Sequence, residues 1–130
     1  MGAERELSVA ADSGDAQRNA EVVRRFFERV LAPPHEVREV DEMLSEDFVD
    51  HTPDGGNATR AGVGEKLREL FAQDPHATFT LEALVAAGDR VAAFSVLDTG
   101  GARSRFADLY TVREGRIAEH WHVVEPVASG

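Results

Sequence analysis

The spacing of apolar residues changes at Pro75, and this change constrains the fold more than any other feature of the sequence. Before Pro75, apolar residues recur every three to four positions, which is the spacing of amphipathic helices. After it, apolar and polar residues alternate, which is typical of half-buried strands. The alternating segments are residues 77–87, 90–98, 103–112 and 116–125, separated by Gly88-Asp89, Gly100-Gly101 and Glu114-Gly115. Such short turns join hairpins, so the pattern predicts helices followed by an antiparallel meander, an α+β fold.

Three helices are predicted before the change in spacing, over residues 15–32, 36–44 and 59–73. The first must end before Pro33-Pro34, because proline removes a backbone donor and clashes with the preceding turn. Thr59 can cap the third helix, since its hydroxyl can accept a hydrogen bond from the first helical turn. The sheet must lay one face on these helices. Its other face is left for solvent or for another subunit.

The length and composition favour one domain. A chain of 130 residues has room for a single core, so we expect a domain over residues 15–130 after a flexible tail at residues 1–14. No run of about 18 apolar residues occurs, and no transmembrane helix is expected. The N-terminus has early acidic residues instead of a hydrophobic signal core, and cysteine is absent, which together favour a cytoplasmic location.

The charge of the chain makes two classes of partner improbable. The formal net charge is −10, with 14 Lys and Arg against 24 Asp and Glu. Nucleic-acid binding requires a basic footprint that displaces counterions, and an anionic membrane would repel so acidic a chain. The basic residues that do occur together, such as Arg24-Arg25, alternate with acids as on a solvated helix face. We therefore expect no nucleic-acid partner and no membrane partner.

Three segments of the sequence carry a resemblance to a known family. They read "FVDHTP" at 48–53, "FADLYTVREGRIAEHW" at 106–121 and "VVEP" at 123–126. Together they resemble the SnoaL-like polyketide cyclase family of the nuclear-transport-factor-2-like and ketosteroid-isomerase-like superfamily, over roughly residues 18–127. The resemblance implies a cone-shaped, cystatin-like α+β roll in which three helices pack in a curved antiparallel sheet around an apolar pocket. It also implies dimerisation through the outer sheet face and chemistry without a metal.

The last predicted strand departs from the family pattern at one position. Members that resemble this chain read His-Trp-Asp there, and the Asp is their candidate acid–base residue, whereas this chain reads His120-Trp121-His122. Either an imidazole carries out the acid–base step in this chain or the site has a different function. The superfamily includes isomerases, cyclases, dehydratases, epoxide hydrolases and non-catalytic binders, so the fold alone does not give the function.

Alternation assigns the side chains of the last two strands to faces of the sheet. One face carries Phe106, Asp108, Tyr110 and Val112 on one strand, and His120, His122 and Val124 on the next. The resemblance implies that this face lines the pocket and that Trp121 packs outside. A homodimer is predicted from the outer apolar residues Trp121, Val123, Leu109 and Ala107. Counting from the turn at Glu114-Gly115 pairs residue 108 with residue 121 or 122, which allows Asp108 and His122 to be neighbours across the two strands.

Asp108 and His122 are the main candidates for acid–base catalysis. An Asp–His pair can work near neutral pH because each group orients and tunes the other. An imidazole can also take or return a proton at neutral pH, since its unperturbed pKa is about 6.5. The alternatives are that Asp108 satisfies a hydrogen bond within the sheet and that His122 lines a pocket that only binds.

The remaining candidates are positioning and binding residues. By resemblance, His120 orients a ligand or a neighbour, and His51 is a catalytic candidate at the pocket mouth; alternatively, His51 bonds its own backbone in a turn. Tyr110 can donate a hydrogen bond to a substrate oxygen, or it can be an ordinary core tyrosine. The substrate-binding residues would be Tyr110, Phe48, Phe79, Phe94 and Phe106. Asp50 and Asp54 fit ordinary turn chemistry, and His35 and His76 are expected to be exposed beside their prolines.

A metal site is an alternative use of the same residues. The His-x-His pattern on a strand places two imidazoles on one side, and His51 or Asp108 could complete a ligand shell. The family resemblance argues against this alternative. We therefore expect no metal and no cofactor.

The sequence predicts a cofactor-independent enzyme, of isomerase or lyase type, for a hydrophobic, polyketide-like carbonyl compound. The reaction would begin with loss of a proton next to the carbonyl and continue as aldol-type cyclisation or isomerisation. One alternative is a non-catalytic small-molecule-binding protein of the same fold. An epoxide hydrolase is less favoured, because that chemistry uses an Asp–Arg–Asp arrangement, and Arg103 and Arg105 fall on the strand face opposite Asp108.

Overall fold

The computed structural model describes residues 6–51 and 58–127. In chain order the elements are β1 (Ser8–Ala11), α1 (Gly14–Arg29), a 3₁₀ turn (Val37–Glu39), α2 (Val40–Met43), β2 (Leu44–Asp50), α3 (Arg60–Gln73), β3 (Thr78–Ala87), β4 (Arg90–Asp98), β5 (Arg103–Arg113) and β6 (Arg116–Pro126). The predicted α+β fold is confirmed, with three helices packed against one sheet. The second predicted helix is divided into the 3₁₀ turn and the short α2. None of the described helices is long and apolar enough to cross a membrane.

The two long helices begin at hydroxyl caps. The hydroxyl of Ser13 accepts a hydrogen bond from the backbone N–H of Ala16 at 3.1 Å, and the predicted cap Thr59 accepts one from Gly62 at 3.1 Å. Each cap satisfies one of the donors that a helix start leaves unpaired. Behind its cap, α1 buries one stripe that includes Phe26 and Phe27. This stripe packs against the inner face of β3 and β4 and forms part of the core.

The sheet is mixed rather than antiparallel throughout, which corrects the prediction. Its strand order is β1-β3-β4-β5-β6-β2. The four predicted strands β3 to β6 form the antiparallel meander, but the two edge strands run parallel to their neighbours, β1 to β3 and β2 to β6. A parallel pair requires a long crossover connection, and helices intervene in the chain between each edge strand and its partner. The sequence pattern of a short edge strand does not reveal this direction.

Part of the segment that was expected to be a flexible tail forms the edge strand β1. Residues Ser8–Ala11 pair in register with residues 83–86 of β3. The apolar residues Leu7, Val9 and Ala11 alternate and pack on the core, and this weak signal was overlooked because the run is so short. Residues 1–5 and the predicted turn at 52–57, which includes Asp54, lie outside the described residues. The tail at 1–5 and that turn therefore stay predictions, and so does a single domain over 15–130.

Two bulges interrupt the ladders of the inner strands. One lies in β3 between Leu81 and Ala83, and the other in the β5–β6 pair next to Val112. Bulges of this kind bend a strand and increase its twist. The second bulge falls beyond Thr111, so the register from Ser104 to Thr111 is continuous. Alternation therefore holds across the part of β5 and β6 that carries the candidate site.

Candidate active site

A largely apolar cavity of about 340 Å³ lies between α1, α3 and the inner face of the sheet. Its aromatic lining consists of Phe26, Phe27, Phe48, Phe79, Phe106 and Tyr110. Its polar lining consists of Asp50, Lys66, Asp108, His120 and His122. An apolar wall with a few converging polar groups is the usual form of a small-molecule site.

Asp108 and His122, the predicted neighbours on the last hairpin, lie opposite each other in the structure. The β5–β6 ladder pairs Asp108 with His122 and Tyr110 with His120. All four side chains line the cavity, whereas Trp121 does not. The inner face therefore carries the residues that the resemblance implied, and alternation with an uninterrupted register explains why.

His120 lies between two buried carboxylates. Its Nε2 is 2.7 Å from Oδ1 of Asp108, and its Nδ1 is 3.3 Å from Oδ2 of Asp50. Asp108 is 7% exposed and Asp50 is 8% exposed. An ionised carboxylate can only accept hydrogen bonds, so the ring satisfies both partners when it donates from both nitrogens, as an imidazolium.

The two carboxylates control the ionisation of the rings beside them. Burial lowers the pKa of His120, but the hydrogen bonds to Asp108 and Asp50 and their negative charges outweigh burial and raise the pKa from 6.5 to about 9. His120 is therefore a cation at neutral pH. Burial, Asp108 and Asp50 also raise the pKa of Tyr110 well above its ordinary value. Its phenol, stacked on His120 with 4.7 Å between the centroids, stays protonated and can donate.

His122 completes the polar group of the cavity. Its ring centroid is 5.2 Å from that of His120 and 5.8 Å from that of Phe106. The residue is half-buried and lines the cavity, so its imidazole is in reach of a bound molecule. This is the position at which the family pattern would have an Asp.

The structure places His51 outside the cavity, so the expectation that it lines the pocket mouth is wrong. Its ring stacks on Trp121 with 4.5 Å between the centroids, and its Nε2 is 2.9 Å from Oε2 of Glu119. Trp121 and Glu119 belong to the outer face of β6. The reason is alternation, because Asp50 at the end of β2 turns inward and the next residue turns outward.

The expectation that Phe94 binds substrate is also wrong. Phe94 is 42% exposed and does not line the cavity, and it lies opposite Ala107 on the outer face. Its neighbours in β4, Ala93 and Ser95, are the buried residues. The other expected residues, Phe48, Phe79, Phe106 and Tyr110, do line the cavity.

Two polar residues that line the cavity, Asp50 and Lys66, were not predicted from the sequence to do so. Asp50 shares a strand face with Phe48, so alternation along β2 could have identified it as an inward residue. Lys66 is the only lysine of the chain, and its spacing to Val63 and Leu70 on α3 is that of one helix face. A lysine on the apolar stripe of a helix indicates a polar group that faces the interior, and this pattern could have identified Lys66.

The loop histidines differ from each other. His76 is exposed, as expected. His35 was expected to be exposed but is half-buried, since its ring stacks on Phe71 with 3.8 Å between the centroids. Its Nε2 lies 2.6 Å from the carbonyl oxygen of Ala77. Neither residue belongs to the cavity.

Asp50, His120 and His122 are the described residues whose donor atoms lie close enough together, within 4.8 Å, to hold a metal ion. The sequence had suggested His51 or Asp108 as the third ligand. The donor set fits a metal poorly, because both nitrogens of His120 lie against buried carboxylates. An imidazolium that donates to both has no lone pair left for a metal, and we assign no metal site.

A family model described as the SnoaL-like domain matches residues 11–120. No curated protein matches the chain.

Solved structures with the same fold include proteins named for related chemistry. A proposed polyketide cyclase from Bacillus cereus ATCC 10987 is 20% identical, with 94% of this chain and 92% of that chain covered and a TM-score of 0.78. A proposed ketosteroid isomerase from Kribbella flavida DSM 17836 is 18% identical, with 89% and 84% covered and a TM-score of 0.73. An NTF2-like protein of unknown function from Mesorhizobium loti is 27% identical, with 91% and 98% covered and a TM-score of 0.71.

Proposed function

The chain belongs to the SnoaL-like domain family, and from this premise we propose that it is a cofactor-independent enzyme acting on a hydrophobic, polyketide-like carbonyl compound. The reaction begins with removal of a proton next to the carbonyl and continues as aldol-type cyclisation or isomerisation. Proteins of the same fold carry the names polyketide cyclase and ketosteroid isomerase. The observation that carries the proposal is the buried Asp108–His120 pair beside His122 in an otherwise apolar cavity.

Asp108 is the proton acceptor in this proposal. The imidazolium of His120 donates a hydrogen bond to its Oδ1 and so holds the carboxyl group in place. Asp108 also lines the cavity. When the substrate C–H bond breaks, its electron pair forms the C=C bond of an enolate, and the proton passes to Asp108.

The negative charge on the enolate oxygen is met by donors from the same cavity. Tyr110 stays protonated because its pKa is raised by burial and by the carboxylates Asp108 and Asp50, and Lys66 adds a cation to the lining. Donors preorganised around a developing oxyanion stabilise it strongly in an apolar site. We assign the proton transfer at the oxygen to His122. His120 positions Asp108, since both of its ring nitrogens are engaged with carboxylates.

Deuterium exchange tests the proposal without knowledge of the natural substrate. The probe is 2-tetralone, a hydrophobic bicyclic ketone, and mass spectrometry follows deuterium uptake next to its carbonyl in D₂O. The protein should accelerate uptake over buffer, and Asp108→Asn should lower that acceleration by roughly 10²–10⁴-fold. Asp47→Asn is the matched control, because Asp47 is an exposed carboxylate on β2. Binding without any acceleration, for this ketone and for open-chain β-diketones, would favour the non-catalytic binding protein.

Epoxide hydrolysis is a second candidate, and one observation favours it. Two buried carboxylates held by one cation, Asp50–His120–Asp108, resemble the Asp–Arg–Asp arrangement with an imidazolium in place of the guanidinium. The arginines suggested by the sequence are elsewhere, since Arg105 pairs with Glu82 and Arg103 with Asp98. Incorporation of oxygen-18 from labelled water into the diol formed from styrene oxide would favour hydrolysis.

The outer sheet face supports a homodimer. Two rows of small and apolar residues cross it in register, Val85–Ala92–Leu109–Trp121 and Ala83–Phe94–Ala107–Val123. Val123 is 69% exposed and Phe94 is 42% exposed. Contiguous exposed apolar surface of this kind usually marks an interaction site, and a second copy of the chain offers a matching surface.

A further inference from the structure

We propose that Asp50, on the edge strand β2, is a positioning residue that holds the ring of His120 so that it donates to Asp108. The proposal rests on the proposed function and deepens it, because it explains how the proton acceptor Asp108 is held in its orientation. Asp50 acts through His120 in this role, at the opposite ring nitrogen from Asp108.

The backbone fixes Asp50 on both sides. The parallel ladder pairs Asp50 with His120, and the N–H of His51 donates to the carbonyl oxygen of His120 at 2.8 Å. The N–H of Asp50 donates to the carbonyl oxygen of Ala58 at 2.8 Å. The carboxylate of Asp50 therefore approaches Nδ1 of His120 from a strand that the sheet holds in place.

The burial of Asp50 has an energetic cost that this role explains. Taking an ionised carboxylate out of water is unfavourable unless a cation or several donors compensate it. Its ring partner is 3.3 Å away, and the side chains of both residues are mostly buried, with 10% exposed for Asp50 and 16% for His120. A carboxylate at the end of an edge strand could have faced solvent, as the exposed Glu46 and Asp47 do.

Asp50 also selects the protonation state of the ring. A neutral imidazole has one donor and one acceptor, and the tautomer with its proton on Nδ1 cannot donate to Asp108. With a carboxylate at each nitrogen, only the doubly protonated ring satisfies both. Among the described residues, the charged and titratable groups that line the cavity together with His120 are Asp50 from β2, Asp108 and Tyr110 from β5, His122 from β6 and Lys66 from α3.

The test reads the ring nitrogens of His120 directly. Long-range ¹H–¹⁵N spectra of the ¹⁵N-histidine-labelled protein report which nitrogens carry protons across a pH series, and the spectrum of His120→Asn assigns the signal. We expect both nitrogens to be protonated at about pH 7.5 in the wild type. In Asp50→Asn the titration midpoint should fall by about one pH unit or more. Asp47→Asn, on the exposed side of the same strand, should leave it unchanged.

The second readout is turnover, measured as deuterium uptake by 2-tetralone. Under the proposed function, Asp50→Asn should lower kcat by roughly 10- to 100-fold, the size of effect given by removing the carboxylate that orients a metal-binding histidine. KM should change less than kcat, because the proposed role of Asp50 is exercised through the ring of His120, although Asp50 also lines the cavity. Asp50→Glu keeps the charge and should restore part of kcat.

The two proposals fail separately in this design. An unchanged titration of His120 in Asp50→Asn overturns the inference, whatever the turnover. If the wild-type protein shows no turnover, the proposed function is overturned. The contact between Asp50 and His120 then has no catalytic role. If Asp50→Asn does not fold, the wild-type spectra decide, because a ring with one protonated nitrogen at about pH 7.5 also overturns the inference.

Discussion

Oδ1 of Asp108 lies 2.7 Å from Nε2 of His120, although the two residues are not directly opposite each other in the β5–β6 ladder. The residue opposite Asp108 is His122, two positions along the strand. The contact is therefore diagonal, and His122 lies beside it on the same face. In the proposed mechanism this geometry separates two tasks, since one histidine holds the carboxylate and the other exchanges a proton with the substrate.

Replacing His122 with Ala should lower turnover by roughly 10²–10⁴-fold, because it removes the group that we assign to proton transfer at the substrate oxygen. Folding should be preserved, since His122 is half-buried on a strand whose ladder does not depend on its side chain. The measurement is the rate of deuterium uptake by 2-tetralone, together with far-UV circular dichroism. His76→Gln is the matched control, because His76 is an exposed histidine outside the cavity. Full activity in His122→Ala would remove His122 from the mechanism.

The stability of the protein should fall as pH rises through the pKa of His120. Its folded-state pKa is raised to about 9 from 6.5. A raised pKa means that the folded state holds the proton more tightly, so the stabilisation is fully present below about pH 6.5 and is lost as pH rises through about 9. The shift corresponds to about 3 kcal/mol at most, at 1.36 kcal/mol per pH unit.

Urea unfolding between about pH 6 and pH 10 measures this dependence. The free energy of unfolding should decrease most steeply between about pH 7 and pH 9. His120→Asn should flatten this part of the curve, whereas His76→Gln should not. A wild-type curve that is level over this range would contradict the ion-pair arrangement of His120 with Asp50 and Asp108.

Local signals in the sequence were sufficient for most of the fold. Thr59 was identified as a cap because a hydroxyl before a helical stripe has a specific partner. Alternation placed Asp108 and His122 on one face of two strands joined by a short turn, where register is set locally, and the family resemblance implied that this face is the inner one. These interactions are close in the chain, so pattern and geometry determine them together.

The errors lie where distant segments meet. His120 contacts Asp50 across 70 residues of chain, and nothing in the sequence shows that β2 joins β6 in parallel. When this pairing is not known, the sequence around Asp50 indicates only an ordinary turn residue. His51 was misplaced for a related reason, since a shift of one residue at a strand end moves a side chain to the other face. Phe94 is an error of another kind, because the local alternation of β4 itself turns it outward.

Replacing Lys66 with Met should weaken the binding of anionic ligands. Lys66 contributes a positive charge to a largely apolar cavity, where a contact to a charged group contributes roughly 1.5–3 kcal/mol. We expect the Kd of 2-naphthoate to rise about tenfold or more, with little change for the neutral 2-acetylnaphthalene. Isothermal titration calorimetry measures both constants. Arg68→Met is the control, because Arg68 is an exposed cation on the same helix; an equal loss for both ligands would indicate damaged packing instead.

Replacing Val123 with Glu should shift the protein from dimer to monomer. Val123 lies in the apolar row with Phe94 and Ala107 on the outer sheet face, 69% of it is exposed, and the cavity is on the other side of the sheet. Two copies meeting through this face would bring two buried carboxylates together, which costs several kcal/mol. Sedimentation velocity at micromolar concentration should show a dimer for the wild type and a monomer for Val123→Glu and Phe94→Glu. Glu125→Gln, a polar replacement near the end of β6, should remain dimeric. A wild-type monomer at that concentration would contradict the proposed assembly.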